Sequence, residues 1–429
     1  MGTPQRLAID GGDPVIAEAL PGGAAARSLI DEREIDAVSD VIRSGNLFRF
    51  ADHANSQCSQ FEREACDYLG VKYGLLVNSG TNAILSGLVG LGVGPGDEVI
   101  VPAYTYIATA SAIVSAGAVP ILAEIDESLG LDPEDVARKI TPHTKCIMPV
   151  HMQGVPARLN DIRKVAEEHG IDVLEDCCQS IGARYFDKVT GSMGKAGAWS
   201  FNYYKVITCG EGGFVFTDDY DVYERACFFH EPGLPMWMKE QEEGSPEWVN
   251  EPFSALGLRS NEMVAAMMRV QLTKMDTALD LTRAAKAGYL AKLESGRHYV
   301  AQHQDDPEGD CGISAAIVVE SRETAERFAK ALTAEGVPSG TYHNDGFPDR
   351  HIYRYWDSIL QKRTHHPGVS PWTHPMYKGS VDYHENMCPR TLDILGRTIR
   401  FGFNVNMTAE HGELIARAVN KVDAGLSAS

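Results

Sequence analysis

The chain has 429 residues, 44% hydrophobic and 23% charged, the proportions of a globular protein large enough for one large and one smaller domain. A formal net charge of −20 argues against a nucleic-acid surface or an anionic membrane as partner, and an anionic small substrate would need a local basic pocket. Nine cysteines without a Cys-x-x-Cys pair indicate neither zinc nor a disulfide framework, and with no secretory signal and no apolar run of about 20 residues they point to reduced thiols in a cytoplasmic protein.

Residues 1–25, rich in Gly, Pro and Ala, read as an extended arm of the kind that packs over a partner or an active-site rim. A helix follows, with Asp31-Glu-Arg-Glu in its acidic first turn and a stop at Ser44-Gly45, and Arg49 lies in the next loop. A second helix runs from about Ser59 to Leu69, and then strands and helices alternate. Strands are expected at 73–77, 98–101, 119–123, 146–150, 173–176, 198–201 and 213–217, with helices between most of them. Repeated units of this length imply an α/β fold with a mostly parallel sheet covered by helices on both faces. A long helix over 260–280 leads to a smaller α+β domain, with a boundary near residue 284. Residues 340–385 are aromatic, His-rich and low in regular pattern, so a functional loop is expected there.

Ligands of such sheets bind at the carboxyl ends of the strands. Gly80-Thr81 falls between a strand and a helix N-terminus, where free N–H groups favour a phosphate. Asp176 ends an apolar strand, where a carboxylate needs a cation or several donors. Tyr104 and Tyr106 follow another strand end, where one ring could stack on a planar ligand. Ser200 precedes Lys205, and a partly desolvated amine there suits a Schiff base. Gly210-Glu-Gly-Gly213 closes that stretch as a tight turn. Each residue also has an ordinary structural reading: an N-cap, a turn cap, a core ring, a surface lysine. Their shared place at strand ends is what selects the functional one, since together they supply what pyridoxal phosphate requires.

These stretches resemble the DegT/DnrJ/EryC1/StrS aminotransferases, a fold-type-I pyridoxal phosphate family. The resemblance is carried by Ser200-Phe…Lys205…Gly210-Glu-Gly-Gly213, Asn78-Ser-Gly-Thr-Asn-Ala83, Asp97-Glu-Val-Ile-Val-Pro-Ala-Tyr-Thr-Tyr106, Pro149-Val-His-Met-Gln-Gly154, Glu175-Asp-Cys-Cys-Gln-Ser-Ile-Gly-Ala183 and Arg259-Ser-Asn-Glu262. It implies a large domain (1–284) with a mostly parallel seven-stranded sheet and a small α+β domain (285–429). It implies that Lys205 joins the cofactor as a Schiff base and Asp176 pairs with the pyridine nitrogen. Gln179 would lie near the cofactor's 3′ oxygen, Gly80, Thr81 and Ser200 at its phosphate, and Tyr106 on its ring. Arg259 would reach the site of a second subunit in a homodimer. Arg49, Tyr104, His151 and His343 are expected to face the substrate. His343, Arg350, His351, Arg354 and Lys362 either bind a diphosphate or form a solvated face. The implied reaction moves an amino group from glutamate or glutamine to a keto sugar, possibly nucleotide-linked, or a keto-cyclitol. The alternatives are an aromatising or eliminating enzyme of the aminohydroxybenzoate-synthase type and a non-catalytic regulator.

Overall fold

The computed structural model describes residues 6–23, 26–50, 55–232, 250–342 and 349–426. Among them the strands of the first half are β1 (Tyr73–Val77), β2 (Glu98–Pro102), β3 (Val119–Ala123), β4 (Thr144–Ile147), β5 (Asp172–Asp176), a two-residue hairpin of β6 (Arg184–Tyr185) and β7 (Lys188–Val189), β8 (Ala196–Ser200) and β9 (Gly213–Thr217). Seven of these form one sheet in the order β1-β9-β8-β5-β4-β2-β3. Strand β9 runs antiparallel to both its neighbours, and the pairs from β8 to β3 are parallel. Strands β2, β8 and β9 are buried along their whole length, as sheets with helices on both faces require.

Local chemistry fixes the helix ends. Asp31 and Glu34 form a reciprocal capping box for the helix Glu32–Ser44, which Gly45 ends in a left-handed conformation. Ser79 caps the helix Gly80–Gly90 by accepting from the Asn82 N–H. The long helix expected over 260–280 is two helices, Glu262–Thr273 and Met275–Lys292.

A second, antiparallel sheet has the order β10 (Tyr299–Ala301), β11 (Ser314–Val319), β13 (Thr398–Gly402), β12 (Ser339–Thr341). Strand β11 is central in this sheet, between the three-residue β10 and the five-residue β13. A separate core of Ile317, Phe328, Leu332, Ile399, Phe401 and Val419 covers it. The boundary expected at 284 falls within the helix Met275–Lys292. Residues 352–395 pack on the large sheet instead: Ile352, Tyr353, Trp356, Ile359 and Leu395 share a core with Val99, Val101 and Leu122. The Tyr353 N–H donates to Ala103 O (3.0 Å) and the Thr105 N–H to His351 O (2.9 Å). This stretch is irregular in sequence because it follows the large domain's surface in short helical turns.

The arm is stitched to the small domain. Buried Glu335 accepts from the Ala8 N–H (2.8 Å), the Val15 N–H (2.9 Å) and Lys421 Nζ (2.9 Å). No helix of the described residues is long and apolar enough to cross a membrane.

The helices Met275–Lys292 and Ala409–Leu426 cross at two glycines. A Cβ on Gly412 would lie 1.9 Å from Ala285 O, and one on Gly288 would lie 2.0 Å from Ala409 O. Gly412→Ala should therefore cost about 1–3 kcal/mol of stability, the usual range for overpacking, read as a lower denaturant midpoint at unchanged slope.

Candidate active site

The carboxyl ends of the parallel strands open into a cavity of ≈ 1750 Å³, closed on its far side by the small domain. Lys205, Asp176, Gly80, Thr81, Tyr106, Gln179 and Ser200 all line it, so seven of the expected site residues converge on one space.

The first turn of the helix Gly80–Gly90 meets the ends of β8 and β9 at very close range. A Cβ on Gly80 would stand 2.5 Å from Ser200 Cβ, and one on Gly213 would stand 2.2 Å from Ser79 O. Only glycine fits either position. The approach brings the Ser200 hydroxyl beside the N–H groups of a helix N-terminus, an arrangement that favours an anion.

Asp176 is 2% exposed at the end of β5. Its Oδ2 accepts from Thr109 Oγ1 (2.8 Å) and its Oδ1 from the Cys178 N–H (3.0 Å). Thr109 Oγ1 lies 2.8 Å from Thr105 Oγ1. Both donors to the carboxylate are neutral, and among the described residues no ion pair reaches it. A buried carboxylate so placed favours a cation in the cavity. The Cys178 thiol beside it also lines the cavity; burial and the charge of Asp176 push its ionisation far up, so it stays neutral.

Lys205 is half-buried on a loop held as a narrow hairpin, in which the Phe201 N–H donates to Gly212 O (2.8 Å) and the Tyr203 N–H to Gly210 O (3.0 Å). The next two residues, Val206 and Ile207, are buried in the core under the sheet. The chain is thus anchored on one side of the lysine while its side chain lines the cavity.

Gln179 Oε1 accepts from the Gln153 N–H (3.3 Å), and Gln153 Nε2 donates to Tyr104 Oη (3.0 Å). Gln153 takes a left-handed conformation (φ 51°), a strain of about 1–3 kcal/mol that turns it into the cavity wall. Tyr106 is half-exposed at the rim, its ring 5.4 Å from that of His351.

Four expected residues stand elsewhere. Arg49 is 1% exposed and does not line the cavity: its Nη2 donates to both oxygens of Glu62 (2.8 Å each), and its Nη1 lies 3.2 Å from His230 Nε2. Burial opposes the charge of Arg49, and the Glu62 carboxylate restores it; burial and the same arginine hold His230 neutral. Arg49 is a core ion pair, since the loop after Gly45 turns inward. Tyr104 is fully buried behind Gln153, its ring 5.1 Å from Tyr342. His151 is fully buried: its Nδ1 accepts from the Ala157 N–H (3.0 Å), which directs Nε2–H to Glu175 (3.1 Å). Glu175 also accepts the N–H groups of Gly191 (2.7 Å) and Met193 (2.8 Å). His151, Glu175 and Cys177 lie within 4.8 Å of one another, and these bonds make the histidine and glutamate a strut. Arg259 lies outside the cavity, paired with Glu231 and leaning on the Phe48 ring. His343 lies outside the described residues. Of the loop's other cations, His351 alone lines the cavity, while Arg354 pairs with Glu385 (3.6 Å) and Lys362 donates to Val381 O (2.6 Å).

Sequence reasoning did not single out Thr109, Gln153, Arg27 or Arg400, all of which line the cavity. Thr109 sits one helical turn after Thr105, a spacing that signals a shared face. Arg27 reaches the mouth over the Tyr203 ring, 5.1 Å from its centroid.

A model of the DegT/DnrJ/EryC1/StrS aminotransferase family matches residues 28–366. The chain belongs to that family. A Streptomyces kanamyceticus protein assigned as an L-glutamine:3-amino-2,3-dideoxy-scyllo-inosose aminotransferase is 37% identical over 298 residues, 68% of this chain and 66% of that protein. The GDP-perosamine synthase of Caulobacter vibrioides is 36% identical over 235 residues, 54% of this chain and 61% of the synthase. The matched region thus spans a little under two thirds of each curated relative. The crystal structure of 3-amino-5-hydroxybenzoic acid synthase superposes with a TM-score of 0.74 at 25% identity, covering 97% of this chain and 100% of that one. This DegT/DnrJ/EryC1/StrS chain therefore has the fold-type-I architecture.

Arg49→Met should cost about 3–5 kcal/mol of stability, because it strands the Glu62 carboxylate in the core. It should leave ligand binding in the cavity unchanged, as a denaturation curve and a titration on the same sample would show.

Proposed function

We propose that this chain is a pyridoxal 5′-phosphate-dependent aminotransferase that moves an amino group from glutamate or glutamine to a keto sugar or keto-cyclitol. The observation that carries this reading is that an amine, a buried carboxylate without a cationic partner among the described residues, and a helix N-terminus beside a serine hydroxyl face one cavity. Those three groups match the aldehyde, the pyridinium nitrogen and the phosphate of the cofactor. The glycine at 80 supports the fit, since any side chain there would fill the cradle.

When bound, pyridoxal phosphate supplies an electron sink for the charge that develops at an amino acid's Cα. The residues of the chain do the rest. Asp176 keeps the ring nitrogen protonated, and Thr109 and the Cys178 N–H aim its two oxygens. Lys205 would tether the cofactor, and its amine, once free, would serve as base and acid for the proton at the donor's Cα. Gly80, Thr81 and Ser200 would hold the phosphate, Gln179 would serve the 3′ oxygen, and Tyr106 would offer its ring. A homodimer in the cytoplasm, with Arg259 reaching the partner's site, is part of the same proposal. Of residues 349–385 only His351 lines the cavity, and Arg27 and Arg400 add two cations from elsewhere, so the wall suits a neutral or an anionic acceptor. The relatives' names cover both acceptor classes.

The likeness to aminohydroxybenzoic acid synthase keeps aromatisation as the second reading. An aminotransferase converts its cofactor to the pyridoxamine form with glutamate or glutamine, whereas an eliminating enzyme releases ammonia; a regulator does neither. Lys205→Ala should abolish the visible band of the tethered cofactor and lower turnover by about 10⁴-fold or more, the upper range for losing a proton-transfer group. Full turnover in that variant would end the reading. Asp176→Asn should keep the cofactor bound and lower the rate of the amino-acid half-reaction by about 10²-fold or more, in stopped-flow absorbance.

A further inference from the structure

Asp349 and His351 stand side by side where the chain comes back from strand β12 to the surface of the large domain. Asp349 Oδ1 accepts twice from this one neighbour, from the His351 N–H (2.9 Å) and from ring Nδ1 (2.7 Å). Burial raises the Asp349 carboxyl, but the two His351 donors and the charge of Arg400 bring it below its usual range, so it stays ionised. An ionised carboxylate only accepts. Nδ1 therefore carries the proton, and in the neutral ring Nε2 is left as an acceptor. Among the described residues nothing bonds to Nε2, and His351 lines the cavity.

The ring is held in place through the backbone around it. His351 O accepts from the Thr105 N–H (2.9 Å), and Arg350 O accepts from the Ile107 N–H (3.1 Å) and from Trp356 Nε1 (2.8 Å). Ile352, next in the chain, is fully buried. These bonds fix the histidine to the loop after β2, the loop that carries Tyr106, and the two rings lie 5.4 Å apart at the rim. A side chain so constrained has lost its freedom before any ligand arrives, which lowers the cost of recognition.

Ring and carboxylate together have no net positive charge in either state of the ring, so the pair does not draw a phosphate or the carboxylates of an amino donor. It offers one hydrogen-bond acceptor backed by a charge, and the group that matches is a hydroxyl. Keto sugars and keto-cyclitols are ringed with hydroxyls, with or without a nucleotide attached, whereas glutamate and glutamine have none. We propose that His351 Nε2 accepts a hydrogen bond from a ring hydroxyl of the keto acceptor, with Asp349 as the positioning residue that fixes the tautomer. The assignment rests on the aminotransferase reading above, and it adds a group that tells acceptor from donor.

The test uses holoenzyme of wild type, His351→Asn, His351→Gln and Asp349→Asn. Asparagine keeps an amide where Nδ1 stands and has nothing at Nε2, while glutamine reaches the Nε2 position. Single turnovers of the pyridoxamine form are followed in the visible band against the concentration of two probes, the keto-cyclitol scyllo-inosose and the nucleotide-linked GDP-4-keto-6-deoxymannose. His351→Asn should raise the apparent Kd of whichever probe wild type uses by about 5–50-fold, the cost of leaving a hydroxyl unpaired, at an unchanged limiting rate. Asp349→Asn should act in the same direction and less, and His351→Gln should recover part of the loss. Cofactor content, melting temperature and the Kd of L-glutamate and L-glutamine in the donor half-reaction should stay at wild-type values. An unchanged acceptor Kd, an equal weakening of donor and acceptor, or a fall in limiting rate alone would overturn the proposal; the second marks a structural role through Tyr106. Wild type that converts a donor but neither probe also overturns it and leaves the aminotransferase reading standing. Wild type that converts no donor ends that reading and the proposal with it.

Discussion

Asp176 sits at the end of a central strand, nearly all buried, with one hydroxyl and one backbone N–H as its hydrogen-bond donors. Two neutral hydrogen bonds do not offset the loss of water around a full charge. The place of Asp176 suits a cation in the cavity, and the surrounding elements gather around the same space. Strand β8 sets Ser200 at the same edge, the helix Gly80–Gly90 points its N-terminus there, and the hairpin after β8 returns Lys205 over it. The close approach at Gly80 and Gly213 ties the last two features together, because the helix start and the hairpin's exit strand share a backbone contact.

The parts of the site that were legible in sequence are those whose signal is local. Asp176, Ser200, Gly80 and Thr81 stand where apolar strands stop, and strand ends are where open sheets hold ligands. Lys205 was legible from the glycines that follow it. Tyr104 and His151 had the same kind of address, Arg49 lay in a loop after a helix, and all three face inward. A strand end fixes where a residue is along the chain, and the direction of the side chain depends on what packs behind it. For Arg49 that was Glu62, thirteen residues on and in another helix; for His151 it was Glu175 on the adjacent strand. Arg400 had no local signal, since a charged residue alternating with Ile399 and Phe401 reads as the solvent side of a strand. Only the docking of that face against the large domain makes it part of a wall.

Fold legibility followed the same rule. The alternating units predicted a mostly parallel sheet. The reversal of β9 was not visible, because a fully buried strand reads the same in either direction. The stretch 340–385 looked patternless since its aromatic residues from Tyr353 on answer to the surface of the large domain and not to a period of their own. Tyr383 Oη reaches Pro120 O (2.5 Å) and Trp356 packs beside Val101, contacts that no spacing rule anticipates. The result is that sequence order and spatial allegiance differ: the chain enters the small domain, returns to the large one, and enters the small one again at β13.

Glu335 gives the arm an importance out of proportion to its lack of regular structure. The arm is fastened to the small domain by that carboxylate, by Leu7 and Ile16 in its core and by Asn404 on Pro21 O, and it brings Gly23 and Arg27 to the mouth of the cavity. Any version of the gene trimmed past residue 16 for convenience of expression would lose the bonds to Glu335 and loosen one side of the vestibule. A change made far from the chemistry could then be mistaken for a defect in the chemistry itself.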